Sequence, residues 1–214
     1  MIARDKKPIR REGAPSEAGY LDFFEAVGKS KRLLRSGWVR EKIKDPESVA
    51  EHSFRVGVLA MVLSDEFGYE LDKTKLMQMA FLHDLAEVIT GDIVAERWGI
   101  LDLKKRDQKE QAEREGIRKI FDKIEDSDTY IAIFDEMLVK STAEAKVFKQ
   151  IDKLEMVFQA FEYEKEQGKN LEEFFADASL HMKDDVMKKI FKDILKSRKK
   201  EYQKSLEKKL RGKI

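Results

Sequence analysis

Apolar residues that recur every three or four positions constrain the fold of this chain more than any other feature. The clearest stripe lies between Thr142 and Gly168 and comprises Val147, Ile151, Leu154, Phe158 and Phe161. That spacing places the apolar side chains on one face of an α-helix. Strand signals are scarce, because alternating β-branched runs are few and Asn-Gly or Asp-Gly turns are absent. The sequence therefore predicts a single all-α domain.

The chain of 214 residues divides into three predicted parts. These are a flexible N-terminal arm at 1–16, a helical core at 17–195 and a charged helical tail at 196–214. Within the core, Ser48 and Glu51 form the sequence pattern of a capping box at a helix start. The helices predicted from such signals cover 17–34, 49–67, 73–90, 102–123, 128–139, 142–167, 171–179 and 184–195. Residues 38–46 and 92–101 are predicted to be a loop and an irregular stretch.

The charge balance argues against a general attraction to polyanions. The 43 Lys and Arg residues are offset by 42 Asp and Glu residues, which leaves a formal net charge of +1. Such a surface has no global field for nucleic acid or membrane. The sequence contains no cysteine, so disulfides and thiolate zinc sites are excluded. The longest apolar run, 56–63, is too short to cross a bilayer, and no signal peptide is recognisable, so we expect a cytoplasmic protein.

The C-terminal tail has a local excess of positive charge. From Lys196 to Ile214 there are nine Lys and Arg residues against two glutamates. This segment could contact nucleic acid. It also carries apolar residues that could dock on the domain or on a partner subunit, namely Leu195, Tyr202, Leu206 and Leu210. We favour docking, because nucleic-acid motifs are missing, and we do not expect nucleic-acid binding.

Polar side chains within apolar helical segments indicate a functional site. His83 and Asp84 stand side by side in the run 76–89, and His52 and Asp152 lie in two other apolar segments. Burying such groups without compensation is costly. Two imidazoles and two carboxylates would form a metal site of mixed nitrogen and oxygen ligands. The spacing alone leaves open that these are satisfied core residues, which is the interpretation that we favour for His181.

Glu87 lies one helical turn after His83. On a helix the two side chains would share one face, with the glutamate further along than a shared ion. That is the position of a group that orients a water molecule or transfers a proton.

Four sequence blocks, taken in order, resemble the HD-domain metal-dependent phosphohydrolases. The blocks are RSGWV at 35–39, PESVAEHS at 46–53, HDLAEVITGDI at 83–93 and STAEAK through QIDKLEM at 141–156. Within that family they are most similar to the branch of YfbR-like enzymes and HD-domain-containing protein 2. The resemblance covers roughly residues 20–165.

The resemblance implies an HD-domain helical bundle with 5′-nucleotidase activity on deoxyribonucleoside 5′-monophosphates. It also implies a divalent transition metal and a homodimer. By position, His52, His83, Asp84 and Asp152 would be the metal ligands and Glu87 the catalytic acid or base. The mixed ligand set suits Co, Mn, Ni, Fe or Zn better than Mg.

The resemblance also implies substrate contacts. Asp92 would lie at the sugar end of the substrate, and Trp38 matches a tryptophan that lines the sugar pocket in YfbR-like enzymes. Those enzymes have an arginine directly before this tryptophan, whereas Gly37 stands here. Arg35 or Arg40 would then supply the cation for the phosphate.

The predicted function is thus metal-dependent hydrolysis of nucleoside 5′-monophosphates to nucleoside and phosphate. Two alternatives remain at this point. One is a pyrophosphohydrolase acting on a guanosine tetraphosphate-like alarmone, and the other is a non-catalytic module that senses a nucleotide or a metal. The sequence does not indicate the preferred base or the sugar selectivity.

Overall fold

The structure is a computed structural model that describes residues 17–67, 70–93, 96–97, 100–101, 103–122, 124–125 and 127–211. The arm predicted at 1–16 lies outside these residues. The described helices are α1 (Glu17–Lys29), α2 (Ser36–Arg40), α3 (Val49–Leu63), α4 (Lys73–Leu82), α5 (Glu87–Thr90), α6 (Leu103–Phe121), α7 (Asp128–Val139), α8 (Ala143–Gln167), α9 (Glu172–His181) and α10 (Asp185–Arg211). One short antiparallel hairpin pairs β1 (Glu96–Arg97) with β2 (Ile100–Leu101). The predicted all-α class is confirmed.

Helix α8 is the central element of the bundle. It packs against α3, α4, α7, α9 and α10, and its buried face carries Val147, Ile151 and Leu154, as the apolar stripe predicts. Thr142 Oγ1 accepts a hydrogen bond from the Ala145 amide, and Gly168 ends the helix in a left-handed conformation. None of the described helices combines the length and apolar character that crossing a membrane would require.

The start of helix α3 is fixed by two interactions. Ser48 and Glu51 form the predicted capping box, with both reciprocal hydrogen bonds present. An isolated antiparallel bridge joins Leu34 to Ser48, and the Arg35 amide donates to the Glu47 carbonyl at 3.1 Å. This pairing ties the segment before α2 to the start of α3, so that Arg35 is held beside the buried end of that helix.

The third predicted helix is broken where the sequence predicts continuity. Helix α4 ends at Leu82, residues 83–86 form turns, and α5 begins at Glu87. The amides of Leu85 and Glu87 bond three residues back, to Leu82 and Asp84, which is the tighter 3₁₀ pattern. Packing explains the break, because a Cβ on Gly116 of α6 would lie only 3.2 Å from the Ala86 carbonyl oxygen. The geometry of His83 and Glu87 is therefore not that of one straight helix face.

Two further segments differ from the sequence-based expectation. The short helix α2 includes the first residues of the predicted loop 38–46, and Trp38 on this helix is buried in the core. Helix α10 runs from Asp185 to Arg211 without interruption, so the predicted helix 184–195 and the predicted helical tail are one element within the described residues.

Ser48→Ala should lower the free energy of unfolding by about 1 kcal/mol, because it removes a side chain that caps α3. Chemical denaturation measures this change. Ser179→Ala is the matched control, since Ser179 is exposed and its hydroxyl bonds only within α9, to Ala176. An equal effect of the two substitutions would contradict the capping role.

Candidate metal centre

Four of the predicted site residues converge from three parts of the bundle. His52 lies on α3, His83 and Asp84 lie in the turn after α4, and Asp152 lies on α8. Ligand atoms of His52, His83 and Asp152 all lie within 4.8 Å of one another. Asp84 Oδ2 lies 3.1 Å from His83 Nε2 and 3.8 Å from His52 Nε2. The structure thus brings all four side chains into one buried cluster.

The two imidazoles present their Nε2 atoms to this cluster. His83 Nδ1 lies 2.8 Å from the Ala80 carbonyl oxygen, which accepts only from a protonated nitrogen and so leaves the lone pair on Nε2. His83 Nε2 is buried and makes no hydrogen bond within the described chain, although Asp84 Oδ2 is close. His52 Nε2 lies 3.2 Å from Asp152 Oδ1. An unpaired imidazole nitrogen among carboxylates fits a metal ligand.

Glu155 contacts the Nδ1 atom of His52, and Arg55 in turn binds Glu155. Glu155 is fully buried on α8, and its Oε2 lies 2.5 Å from His52 Nδ1. Its other oxygen accepts a hydrogen bond from Arg55 Nε at 2.8 Å. A carboxylate on the second imidazole nitrogen orients the ring and increases its basicity. Sequence reasoning assigned no role to these two residues, although the spacing from Asp152 to Glu155 places both on one helix face.

The two aspartates are each paired with a cation. Asp84 forms a short ion pair with Arg35, and Asp152 Oδ2 lies 2.9 Å from Lys149 Nζ. Burial alone would raise the pKa of Asp84, but the neighbouring His83 and Arg35 hold it well below the usual range. Burial acts in the same way on Asp152, and Lys149 and His52 outweigh it and lower that pKa. Both carboxylates are therefore ionised and available as ligands at neutral pH.

The pKa of His52 is raised to about 10 in the metal-free protein. Burial and Arg35 would lower it, but Glu155 and Asp152 outweigh both. A metal ion that bound this imidazole would have to displace a proton from it, and its affinity would then depend on pH.

Glu87 lies beside the cluster and is almost completely buried. Its Oε1 accepts a hydrogen bond from Lys109 Nζ at 3.0 Å, whereas its Oε2 has no hydrogen-bond partner within the described chain. Burial, and secondarily the charge of Asp84, raises the pKa of Glu87 to about 9. A protonated carboxyl with a free oxygen fits general acid chemistry.

A cavity of about 350 Å³ opens beside these residues. Its walls include all the predicted site residues except His52, together with several cations that the sequence did not single out, such as Arg106, Lys109 and Lys149. Lys109 and Lys149 lie in charged helical stretches, where nothing in the sequence separates them from solvated lysines.

The predicted substrate-contacting residues occupy defined positions around the cavity. Asp92 Oδ2 accepts a hydrogen bond from the Ser36 amide at 2.7 Å. Arg40 bonds both Glu41 and Glu173 at 3.0 Å, so its guanidinium is already engaged. Arg35 lies closest to the cluster, through its contact with Asp84.

Trp38 is a core residue whose neighbourhood explains Gly37. The indole stacks on Phe174 with ring centroids 4.3 Å apart, and its Nε1 donates to Glu47 Oε1 at 2.8 Å. A Cβ on Gly37 would lie 3.2 Å from the same Phe174 ring. The aromatic ring thus occupies the space that a larger side chain at position 37 would need.

A profile of the HD domain family matches residues 27–204 of this chain, in agreement with the geometry of the site. The chain belongs to the HD domain family. HD domain membership implies dependence on a divalent metal, and the buried His, Asp and Glu groups could hold one. The resemblance inferred from the four sequence blocks is therefore confirmed.

Named relatives and a solved structure also match the HD domain chain. A protein named 5′-deoxynucleotidase HDDC2 from Danio rerio is 36% identical over 159 residues, covering 72% of this chain and 76% of that one. The Bos taurus protein of the same name is 34% identical over 172 residues, covering 78% and 80%. A conserved hypothetical protein from Pyrococcus furiosus has a TM-score of 0.69 and 32% identity, covering 82% of this chain and 99% of that one.

Glu87→Gln should stabilise the metal-free protein increasingly as the pH rises. Because burial raises the pKa of Glu87 above the ordinary 4.5, the folded chain retains a proton that the unfolded chain loses, and the free energy of unfolding falls between pH 4.5 and 9. The Glu87→Gln variant has no carboxyl group at this position, so its free energy of unfolding does not fall for this reason. We expect it to gain about 1 kcal/mol or more on the wild type between pH 5 and pH 8, since one unit of pKa shift corresponds to about 1.4 kcal/mol.

Denaturation at the two pH values measures the difference. Glu166→Gln, on the exposed side of α8, is the control and should show no such dependence. A Glu87→Gln effect that is equal at pH 5 and pH 8 would contradict the raised pKa.

Proposed function

We propose that this protein is a metal-dependent phosphomonoesterase that hydrolyses deoxyribonucleoside or ribonucleoside 5′-monophosphates to nucleoside and phosphate. The observation that carries the proposal is the buried cluster of His52, His83, Asp84 and Asp152 beside Glu87 at one cavity. Family membership and relatives named 5′-deoxynucleotidase support the same reaction class.

The four clustered side chains are the proposed ligands of one divalent ion. Two imidazole nitrogens and two carboxylate oxygens suit Co, Mn, Ni, Fe or Zn better than Mg. An ion bound there supplies positive charge and Lewis acidity for phosphoryl transfer. Glu155 keeps the His52 ring in the orientation that directs Nε2 at the cluster.

Glu87 is the proposed proton carrier. Its free Oε2 is the oxygen that can meet the reacting groups, because Oε1 is held by Lys109. In its protonated form it donates a proton to the leaving 5′-oxygen, and in its ionised form it accepts one from the attacking water.

Arg35 is the proposed partner of the phosphate. Both Arg35 and Arg40 line the cavity, but Arg35 is paired with Asp84 of the cluster, whereas Arg40 is paired with Glu41 and Glu173. Phosphoryl transfer needs such a cation, because negative charge on the phosphoryl oxygens must be offset. With Phe174 against Gly37, this chain obtains its cation from position 35 and not from position 37.

At the sugar end, Asp92 and Trp38 remain the proposed contacts. Asp92 is held by the Ser36 amide and so has a fixed carboxylate orientation. Trp38 packs between Phe174 and Tyr163 and lines the cavity.

A homodimer is also proposed. Helices α3, α4 and α8 expose a set of neighbouring apolar side chains, in which the Phe81 ring packs over Gly57 and the Arg55 guanidinium lies over Phe158. The exposed members are Phe54, Val58, Met61, Val62, Phe81 and Phe158. An apolar patch of this kind is typical of an interaction surface. The cytoplasmic location and the absence of nucleic-acid binding stay predictions.

The wild-type protein should release inorganic phosphate from 5′-monophosphates such as dAMP and dTMP. Chelation should abolish the release, and Co²⁺ or Mn²⁺ should restore it. Asp152→Ala should lower metal content and reduce kcat/KM by at least about 100-fold, since it removes a proposed ligand. Asp193→Asn, on the solvent side of α10, is the matched control.

The substrate panel also separates the alternatives. Pyrophosphate release from an alarmone without phosphate release from monophosphates would favour the pyrophosphohydrolase. Binding of nucleotide without any hydrolysis would favour the sensing module. Full activity of metal-free protein or of Asp152→Ala would contradict the proposed metal site.

A further inference from the structure

Lys109 makes an unusual set of contacts for a lysine on a charged helix. Its ammonium lies 3.0 Å from Glu87 Oε1, 3.0 Å from the Ile93 carbonyl oxygen and 3.4 Å from Glu113 Oε1. The side chain is only 23% exposed. Glu113, one turn further along α6, is buried as well, so the Lys109 ammonium lies between two buried carboxylates.

The contact makes the two oxygens of Glu87 inequivalent. Oε1 accepts a hydrogen bond from a charged donor, so a proton on the carboxyl resides on Oε2. Oε2 is the buried oxygen without a hydrogen-bond partner in the described chain. Lys109 therefore selects which oxygen carries the exchangeable proton and holds it in one orientation.

The same ammonium also ties down the segment after α5. Ile93 follows Asp92, whose carboxylate is held by the Ser36 amide. Lys109 thus links Glu87 to the stretch that borders the proposed sugar end of the cavity. A displacement of either group by about 1 Å can cost about 100-fold in rate.

We propose that Lys109 is a positioning residue for the hydrolysis, which orients Glu87 and secures the 92–93 segment against the cavity. This proposal rests on the proposed function. Lys109 acts through Glu87 and is not itself placed on the substrate.

The proposal predicts a change in pH dependence with a definite sign. The charges that face Glu87 are Asp84 and Asp92, which raise its pKa, and Arg35 and Lys109, which lower it; Glu113 adjoins Lys109 on α6. Removing only the Lys109 ammonium therefore moves the pKa of Glu87 upward. In a plot of kcat against pH, the limb that is governed by the ionisation of Glu87 therefore moves to higher pH. The direction is the same whether Glu87 works as an acid or as a base.

The experiment compares metal-loaded wild type with Lys109→Met, Lys109→Arg and Lys119→Met. We expect Lys109→Met to lose about 100-fold in kcat with KM within a few-fold, and its Glu87 limb to move to higher pH. Lys109→Arg keeps the charge and should recover most of the rate and the original limb. Lys119→Met removes an exposed lysine of the same helix and should match the wild type.

The outcomes separate the two proposals. If the wild type is active and Lys109→Met has the same kcat and the same pH profile, the role of Lys109 is contradicted but the proposed function is not. A wild type that releases no phosphate from any monophosphate contradicts the proposed function, and the role of Lys109 falls with it. If Lys109→Met does not fold, Lys109→Arg tests the proposal by itself. A folded Lys109→Arg variant whose kcat stays far below that of the wild type, and whose Glu87 limb differs from the wild-type limb, also contradicts the proposal.

Discussion

The interior of this bundle contains charged groups that cannot be buried alone. His52, His83, Asp84 and Asp152 meet among apolar helices, and isolated ions in such an environment cost many kcal/mol. The chain offsets part of that cost with Arg35 and Lys149 at the aspartates and with Glu155 at His52. His83 Nε2 is left unpaired within the described chain, which is the position that a divalent cation would satisfy.

The surrounding fold follows from the need to bring these groups together. Helix α8 supplies Asp152 and Glu155 three residues apart, so one helix holds both a proposed ligand and the carboxylate that orients another. The capping box fixes where α3 starts and therefore where His52 lies. The break at the end of α4 directs His83 and Asp84 into the cluster and lets Glu87 begin a new short helix beside it.

Much of this architecture could be predicted from the sequence. Helical periodicity indicated the class, and local signals such as Ser48 with Glu51 located helix starts. The break after Leu82 was missed, because no Gly or Pro marks it and the packing of Gly116 on Ala86 overrides the local pattern. The proposed ligands lie up to 100 residues apart along the chain, so their convergence followed only from the family resemblance. Lys109 and Arg55 could not be recognised, since among the 40% of residues that are charged only tertiary contacts distinguish them.

The most direct test of the metal centre is X-ray absorption spectroscopy on wild-type protein loaded with cobalt. The structure predicts about one ion per chain with scattering from two imidazole rings and from carboxylate oxygens, as the cluster of His52, His83, Asp84 and Asp152 requires. A bound ion surrounded only by oxygen atoms, or a chain that retains no cobalt after desalting, would contradict the assignment.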